Sequence, residues 1–256
     1  MRPTIPAICG CLVLVTVATS GCGSQEGGGQ RSLSQQLEDA RGIDDPVERT
    51  NALIRVANNY VKAADTLGAR ESLQHAAKAA GEIDAEIQGE DRVRAHIKLA
   101  EACRTAGDRS ACEDAYEAAE DGLDDLENAT AKTELLIDLA LLKVKLKEND
   151  DAASDLKSAE KAAPDIEDSF LRVELLAWVA YGYKQLDQAD EAARVMNEAK
   201  SQAEDEAEDG NKARLLSLVG REQISSLEDQ QAGLETLEQA AGIARSISDN
   251  AFVQAS

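Results

Sequence analysis

Aromatic residues are scarce in this chain, making up 3% of its 256 residues with a single tryptophan. A core held together by large packed rings is therefore excluded. The abundance of alanine indicates instead helices that approach each other closely over small side chains. Histidine is as scarce and occurs only as His75 and His96.

Motifs that carry catalysis or metal binding are also missing. Neither histidine lies in a pattern of nucleophile or metal ligands. The chain has no phosphate loop, no Gly-x-Ser-x-Gly elbow and no Cys-x-x-Cys pair. Acidic clusters such as residues 120–125 lack the glycine-turned oxygen cage of a calcium loop. The sequence therefore predicts no catalytic site, no metal, no cofactor and no small-molecule substrate.

Basic residues are in short supply as well, with 27 lysines and arginines against 49 acidic residues and a net charge of −22. Such a balance opposes binding to phosphate backbones and to anionic membrane surfaces. We therefore expect no nucleic-acid partner.

No apolar run is long enough to span a bilayer as a helix, which needs about 20 residues. The longest run, from Ile5 to Val17, leads to the small residues Ser20 and Gly21 and then to Cys22. This is the layout of a cleaved secretion signal. The end of the run resembles a bacterial lipobox.

The lipobox resemblance implies that residues 1–21 are removed and that Cys22 carries acyl chains anchoring the chain to a membrane. Thr19 stands where that pattern usually has leucine, so ordinary cleavage nearby is the alternative. Gly23, in place of aspartate after the cysteine, favours the outer membrane, with the body facing the periplasm. Residues 22–32 are rich in glycine and predict a flexible tether.

Five cysteines occur, of which Cys9 and Cys11 lie in the segment expected to be removed. If Cys22 is lipidated, the mature fold keeps Cys103 and Cys112. Two alternatives remain for this pair: a disulfide formed in an oxidising compartment, or two free thiols buried as small apolar residues.

What the sequence does contain is a repeat. Five segments share one pattern of apolar residues at helical spacing and close on a small residue. The closing residues are Ala57, Ala100, Ala140, Ala180 and Gly220. They are 43, 40, 40 and 40 residues apart, a fixed period that is the signature of stacked helical units.

A second amphipathic helix follows each segment after a short turn. It carries a small residue, a larger apolar residue and an alanine, as in Ala152, Leu156 and Ala159. In the fifth unit the small residue is predicted at Ala232, one position out of step. These residues resemble the tetratricopeptide (TPR) family, although its usual period is about 34 residues.

The resemblance covers residues 48–247 and implies an all-α fold, an α-solenoid of about five antiparallel helical hairpins in a right-handed superhelix. We expect a repeat domain over 33–256, with hairpins at about 46–88, 91–127, 131–163, 167–208 and 211–247. Residues 33–43 resemble the second helix of a truncated hairpin, and 250–256 the start of a sixth. Asp45, Pro46 and Glu48 predict a capped helix start.

The resemblance also predicts a functional surface, because that family binds segments in a concave groove lined by five outward positions of each first helix. These 25 positions carry seven basic and three acidic side chains, against the acidic balance of the chain. We therefore hypothesise a groove for an acidic or carboxylate-bearing peptide. The residues assigned to it are Asn58, Lys62, Arg94, Arg104, Leu141, Lys145, Tyr181, Lys184, Arg214 and Arg221.

Alternatives stay open at both levels. The basic residues of the groove could instead neutralise the acidic second helices through intramolecular pairs, leaving no binding patch. For function, the leading expectation is a membrane-tethered, extracytoplasmic scaffold that binds a protein of unknown identity. A structural or self-associating envelope lipoprotein is the first alternative, and an enzyme with an unrecognised site is the second.

Overall fold

The computed structural model describes the backbone of residues 31–254 and the side chains of residues 31–248. The expected signal segment and Cys22 lie outside this range. Over the described residues every regular element is a helix, which confirms the all-α class. The α-helices are α1 (Leu33–Arg41), α2 (Pro46–Lys62), α3 (Thr66–Gly81), α4 (Ala85–Ala106), α5 (Arg109–Asp124), α6 (Ala129–Leu146), α7 (Asn149–Ala162), α8 (Ser169–Gln185), α9 (Ala189–Glu204), α10 (Asp209–Ser225) and α11 (Gln230–Gln254), with a 3₁₀ turn at Ala163–Asp165 after α7.

Ten of these helices form five hairpins, each pairing a first helix with the helix after it: α2 with α3, α4 with α5, α6 with α7, α8 with α9 and α10 with α11. Helix α1 packs on α2, and each hairpin packs on its neighbours along the chain. This serial stacking is the α-solenoid expected from the repeat. Within residues 31–254, none of the helices has the length and apolar character needed to cross a membrane.

The small residues that mark the repeat are buried between paired helices. Ala57 is 1% exposed, and Ala100, Ala140 and Ala180 are 0% exposed. On the second helices Ala69, Cys112, Ala152 and Ala192 are buried in the same way. Because these side chains occupy little volume, the two backbones of each hairpin can lie close together. The predicted role of the small residues is confirmed.

In the fifth hairpin the small residue of the second helix is Gly233 and not Ala232. A Cβ on Gly233 would lie 2.7 Å from the carbonyl oxygen of Gly220, and a Cβ on Gly220 would lie 2.9 Å from that of Gly233. The two backbones therefore touch where the other hairpins have alanine or cysteine. The turn before α11 is one residue longer than sequence alignment assumed, which moves the contact by one position.

Each hairpin turns through one residue in the left-handed backbone region. These residues are Ala64, Gly107, Lys147, Asp187 and Glu228, with φ from 59° to 77°. In the second hairpin the Asp108 amide then donates to the Cys103 carbonyl over 2.9 Å, and the first, third and fourth hairpins repeat this bond. Since the same conformation and the same bond recur, the first four hairpins close with similar geometry. Four of the five turns hold a non-glycine residue, at a cost of about 1–2 kcal/mol each.

Side-chain caps fix where the first helices begin. The Asp45 carboxylate accepts a hydrogen bond from the Glu48 amide at 2.7 Å, with Pro46 at the first helical position. This confirms the predicted helix start. Helix α4 begins earlier than expected, because Asp84 caps an additional turn that joins the rest of the helix through a kink at Gln88. This additional turn lies within the first repeat spacing, from Ala57 to Ala100, which is 43 residues where the other spacings are 40.

The far end of the described chain differs from expectation. Helix α11 continues without a break to Gln254, so residues 250–254 do not begin a sixth hairpin. The segment Ser248-Asp249-Asn250 contains no glycine or proline that would end the helix.

One buried charge joins the second and third hairpins. Lys143 is 2% exposed, and its Nζ lies 2.8 Å from the carboxylate of Asp155 on α7 and also pairs with Glu120 on α5. The same Nζ lies 5.7 Å from the ring centre of Tyr116. Burial by itself lowers the pKa of Lys143, but hydrogen bonds to both carboxylates outweigh it and raise the pKa. Helices α5, α6 and α7 therefore meet on a single ammonium group.

Candidate functional site

A cleft of about 890 Å³ runs over the first helices of the first three hairpins, α2, α4 and α6. Its apolar surface includes Ile54, Ile97 and Leu141, each from a different helix. Polar side chains surround this surface: Glu48, Asn51, Arg55, Asn58, Lys98, Glu101, Thr105, Asp138 and Lys145. An apolar floor with a charged border is the kind of surface that holds a segment of another protein.

Four of the ten residues assigned to the groove from sequence are brought together here. Asn58, Leu141 and Lys145 line the cleft, and Arg104 reaches it by binding Glu101. The three lining residues come from α2 and α6, on opposite sides of α4. The cleft therefore crosses three consecutive hairpins.

Glu101 is the centre of the charges in the cleft. Arg104 donates to both of its carboxylate oxygens, over 2.8 and 2.9 Å, and Lys145 of α6 donates over 3.2 Å. Burial by itself raises the pKa of Glu101, but the hydrogen bonds from the two cations outweigh it and lower the pKa. Two cations share one carboxylate, so this group carries one positive charge in excess.

Sequence reasoning missed a further set of charged lining residues, Arg55, Lys98 and Asp138. All three occupy the same place in the repeat, two residues before the small residue of the first helix. At 100° per residue, this place lies beside the outermost of the positions that were counted. One more helical position per repeat would have found them.

Asp138 lies on α6, and although part of its side chain reaches water, packed protein surrounds the rest. This desolvation raises the pKa of Asp138, and the nearby Arg94 guanidinium only partly opposes the rise. On the other side of the cleft, Lys98 donates to the side-chain oxygen of Asn51 over 3.2 Å. The cleft border therefore carries both signs of charge, with Arg55, Lys98 and Lys145 facing Glu48, Glu101 and Asp138.

Other assigned residues lie outside the cleft and are paired within the chain. Arg94 lies 3.5 Å from Glu134, and Lys184 lies 3.3 Å from Glu228. With Arg104 and Lys145 included, four of the seven basic groove positions have an acidic partner. The partners lie on first helices or in a turn, and not on the second helices where intramolecular pairing was considered.

The remaining assigned residues lie on α8, on α10 and at the end of α2. Tyr181 packs edge-on against Trp178, with ring centres 5.7 Å apart. The Arg214 guanidinium lies 5.6 Å from the ring centre of Phe170. Lys62 and Arg221 are exposed. The basic positions therefore do not form one continuous patch.

Cys103 and Cys112 are free thiols in the structure, and both are buried. Burial raises the pKa of Cys103 to about 12 and that of Cys112 to about 11. Both thiols stay protonated near neutral pH and pack as small apolar groups. Across the described part of the chain, no cluster of three or more His, Cys, Asp or Glu side chains is placed to hold a metal ion.

No protein-family model matches this chain, and no curated protein matches it. Solved structures do. The nearly identical TPR-like repeats assigned to a kinesin light chain of Podosopora anserina are 17% identical to it, with a TM-score of 0.50 over 80% of this chain and 99% of that one. BtubC (BKLC) from P. vanneervenii is 14% identical, with a TM-score of 0.49 over 84% of this chain and 89% of that one. The chain has a TPR-like helical repeat fold.

Proposed function

We propose that this chain is a scaffold that binds a segment of another protein in the cleft over α2, α4 and α6, while a lipid on Cys22 holds it to a membrane outside the cytoplasm. The observation that carries the proposal is the cleft itself, which has a volume of about 890 Å³ and an apolar floor with a polar border. TPR-like repeats commonly mediate contacts between proteins.

The charges favour a bound segment that carries a carboxylate next to apolar side chains. The cluster of Glu101, Arg104 and Lys145 has one positive charge in excess, and Lys98 donates to the amide oxygen of Asn51, with Asp138 as its acidic neighbour. An incoming carboxylate can accept hydrogen bonds from Lys145 or Lys98 without leaving a buried charge unpaired. Leu141 and Ile97 would contact the apolar side chains.

Site-specific crosslinking tests the cleft. A photoreactive amino acid at Asn58 or at Thr105, both lining the cleft, should capture a protein partner in cells. The matched control is Ser154, an exposed position on the second helix α7. Equal capture from Ser154 and from the cleft positions would refute the proposed site.

A charge reversal tests the chemistry of the bound segment. Lys145→Glu should reduce capture from Thr105 at least about tenfold. The new carboxylate would lie beside Glu101, where Lys145 formed an ion pair, and would repel the carboxylate of the bound segment. Lys157→Glu makes the same charge change on an exposed part of α7 and should have no effect. If both variants reduce capture equally, net charge and not the cleft determines binding.

The lipid tether rests on the sequence around Cys22. Cells fed a labelled fatty acid should transfer the label to the chain, and Cys22→Ser should abolish this transfer. Cys112→Ser is the control, because that thiol is buried. Unchanged labelling of the Cys22→Ser variant would remove the tether and leave the cleft proposal standing.

A further inference from the structure

Helix α11 carries an apolar strip that the scaffold role does not use. Leu234, Leu237, Ala241 and Ala244, here called the α11 seam, are three, four and three residues apart, so they share one side of the helix. Leu234 is 56% exposed, Ala244 is exposed, and Leu237 and Ala241 are half-buried. The seam belongs to none of the residues that line the cleft.

The repeat shows what this side of a second helix does elsewhere. The residues equivalent to Ala244 in the first four hairpins are buried, with at most 3% exposed: Ala80, Leu123, Ala163 and Ala203. In the first hairpin Ala80 packs with Ala95 of α4, the first helix of the next hairpin. This position is therefore built to meet a following helix. In the fifth hairpin, no helix of the described residues covers it.

In the first and third hairpins the residue three positions further on follows the same rule. Ile83 and Ile166 are 2% exposed, whereas the equivalent Ile247 is 38% exposed. Helix α11 thus keeps the apolar residues of an inter-hairpin contact and presents them to solvent. A helix from another chain would bury the same surface that the next hairpin buries in the earlier repeats.

Charge argues for a second copy as that other chain. Two molecules with a net charge of −22 repel each other unless they meet where few charges lie. Over residues 230–248, α11 has three charged side chains, Glu235, Glu238 and Arg245, whereas the shorter α5 has seven in 16 residues. The α11 seam is thus a place where the repulsion between two copies is weak.

The flanking charges also complement themselves. Glu238 and Arg245 each follow a seam residue by one position, so both lie on the same edge of the seam. If two α11 helices pack antiparallel about a twofold axis between Ala241 and Gly242, the Glu238 of each copy faces the Arg245 of the other, and Leu234 faces residue 249 of the other helix. We infer that the α11 seam is a homodimer interface of this antiparallel, twofold kind.

In this register the contact runs from Leu234 to residue 249, which is fifteen intervals between residues, or about 22 Å at 1.5 Å per residue. A contact of this length is small by the standard of stable complexes, so we expect dissociation in the micromolar range. Sedimentation velocity on the protein in a mild detergent should show the protein mass rising with concentration from that of one chain to twice that value. Leu234→Glu should keep the chain monomeric.

Controls separate the seam from general effects. Leu67 is another exposed leucine, 80% exposed on α3, so Leu67→Glu should leave the dimer intact. Glu238→Arg and Arg245→Glu should each weaken dimerisation at least about tenfold by placing like charges together. The double variant restores both pairs and should restore the dimer.

Three results would overturn the inference. One is a wild-type chain that stays monomeric up to about 200 µM, far above the expected dissociation constant, which would mean that a different partner or no partner covers the seam. Another is a dimer that Leu234→Glu leaves intact. The last is mass that keeps growing beyond twice the monomer, which indicates head-to-tail stacking in place of a twofold pair.

Discussion

Replacing Lys143 tests how the hairpins are held together. Lys143→Met keeps most of the side-chain volume but removes the ammonium that Asp155 and Glu120 share. The Asp155 side chain is 15% exposed, so its carboxylate would remain buried without a cation, whereas the Glu120 side chain is 40% exposed and can turn to water. We expect the free energy of unfolding to fall by about 3–5 kcal/mol, the usual cost of leaving one member of a buried pair alone.

The double variant Lys143→Met/Asp155→Leu removes the stranded carboxylate as well. It should recover most of the loss, to within about 1–2 kcal/mol of wild type, because apolar side chains of similar volume replace the pair. Lys145→Met is the control on the same helix, since its side chain is 53% exposed and its pair with Glu101 should contribute less than about 1 kcal/mol.

Urea unfolding followed by circular dichroism would measure these differences. The reasoning fails if Lys143→Met costs less than about 1 kcal/mol, or if the double variant is no more stable than the single one. Either result would mean that water or another cation reaches Asp155 when Lys143 is absent.

Three further predictions concern the turns, the close helix contact and a buried histidine. Measured by thermal unfolding, Lys147→Gly should raise the free energy of unfolding by about 0.5–1 kcal/mol, because glycine adopts the left-handed conformation without strain. Gly107→Ala should lower the free energy of unfolding by about 1 kcal/mol for the opposite reason, and a loss of stability in Lys147→Gly would contradict this reasoning. Gly220→Ala should destabilise α10 against α11 by about 1–3 kcal/mol in urea unfolding, because its Cβ would lie 2.9 Å from a backbone oxygen; a neutral change would show that the helices can separate freely. Burial, and then the charge of Arg92, lowers the pKa of His96, so the stability of the wild type should be complete above the ordinary pKa of 6.5 and should fall as the pH drops below it. The variant His96→Leu should lack this fall between pH 7 and about 5.5, and an unchanged pH dependence would show that another group causes it.

The fold could be predicted because its determinants are local and repeated. Small residues such as Ala100 and Ala140 recur in one register, and close helix packing follows from their volume alone. The shift from Ala232 to Gly233 could not be predicted in this way, since it depends on a turn whose length changes by one residue. The continuation of α11 to Gln254 was missed for a different reason, because the expectation of a further repeat outweighed the absence of a helix-ending glycine or proline at residues 248–250.

The candidate site was predictable only in part. The face of each first helix follows from helical periodicity, which located Asn58, Leu141 and Lys145 on the cleft. The pairing of Arg104 and Lys145 with Glu101 depends on side-chain orientation between two hairpins, and sequence position does not specify it. For the same reason, the count of basic residues overestimated the free positive charge.

The serial arrangement of the hairpins has a consequence for how such a chain can change over generations. Each unit is joined mainly to the units before and after it. Duplication of one block of 40 residues would therefore create only junctions of a type already present, and loss of a block would remove only such junctions. Lineages can thereby lengthen or shorten the surface formed by the first helices in whole steps, while single substitutions change the chemistry of each step.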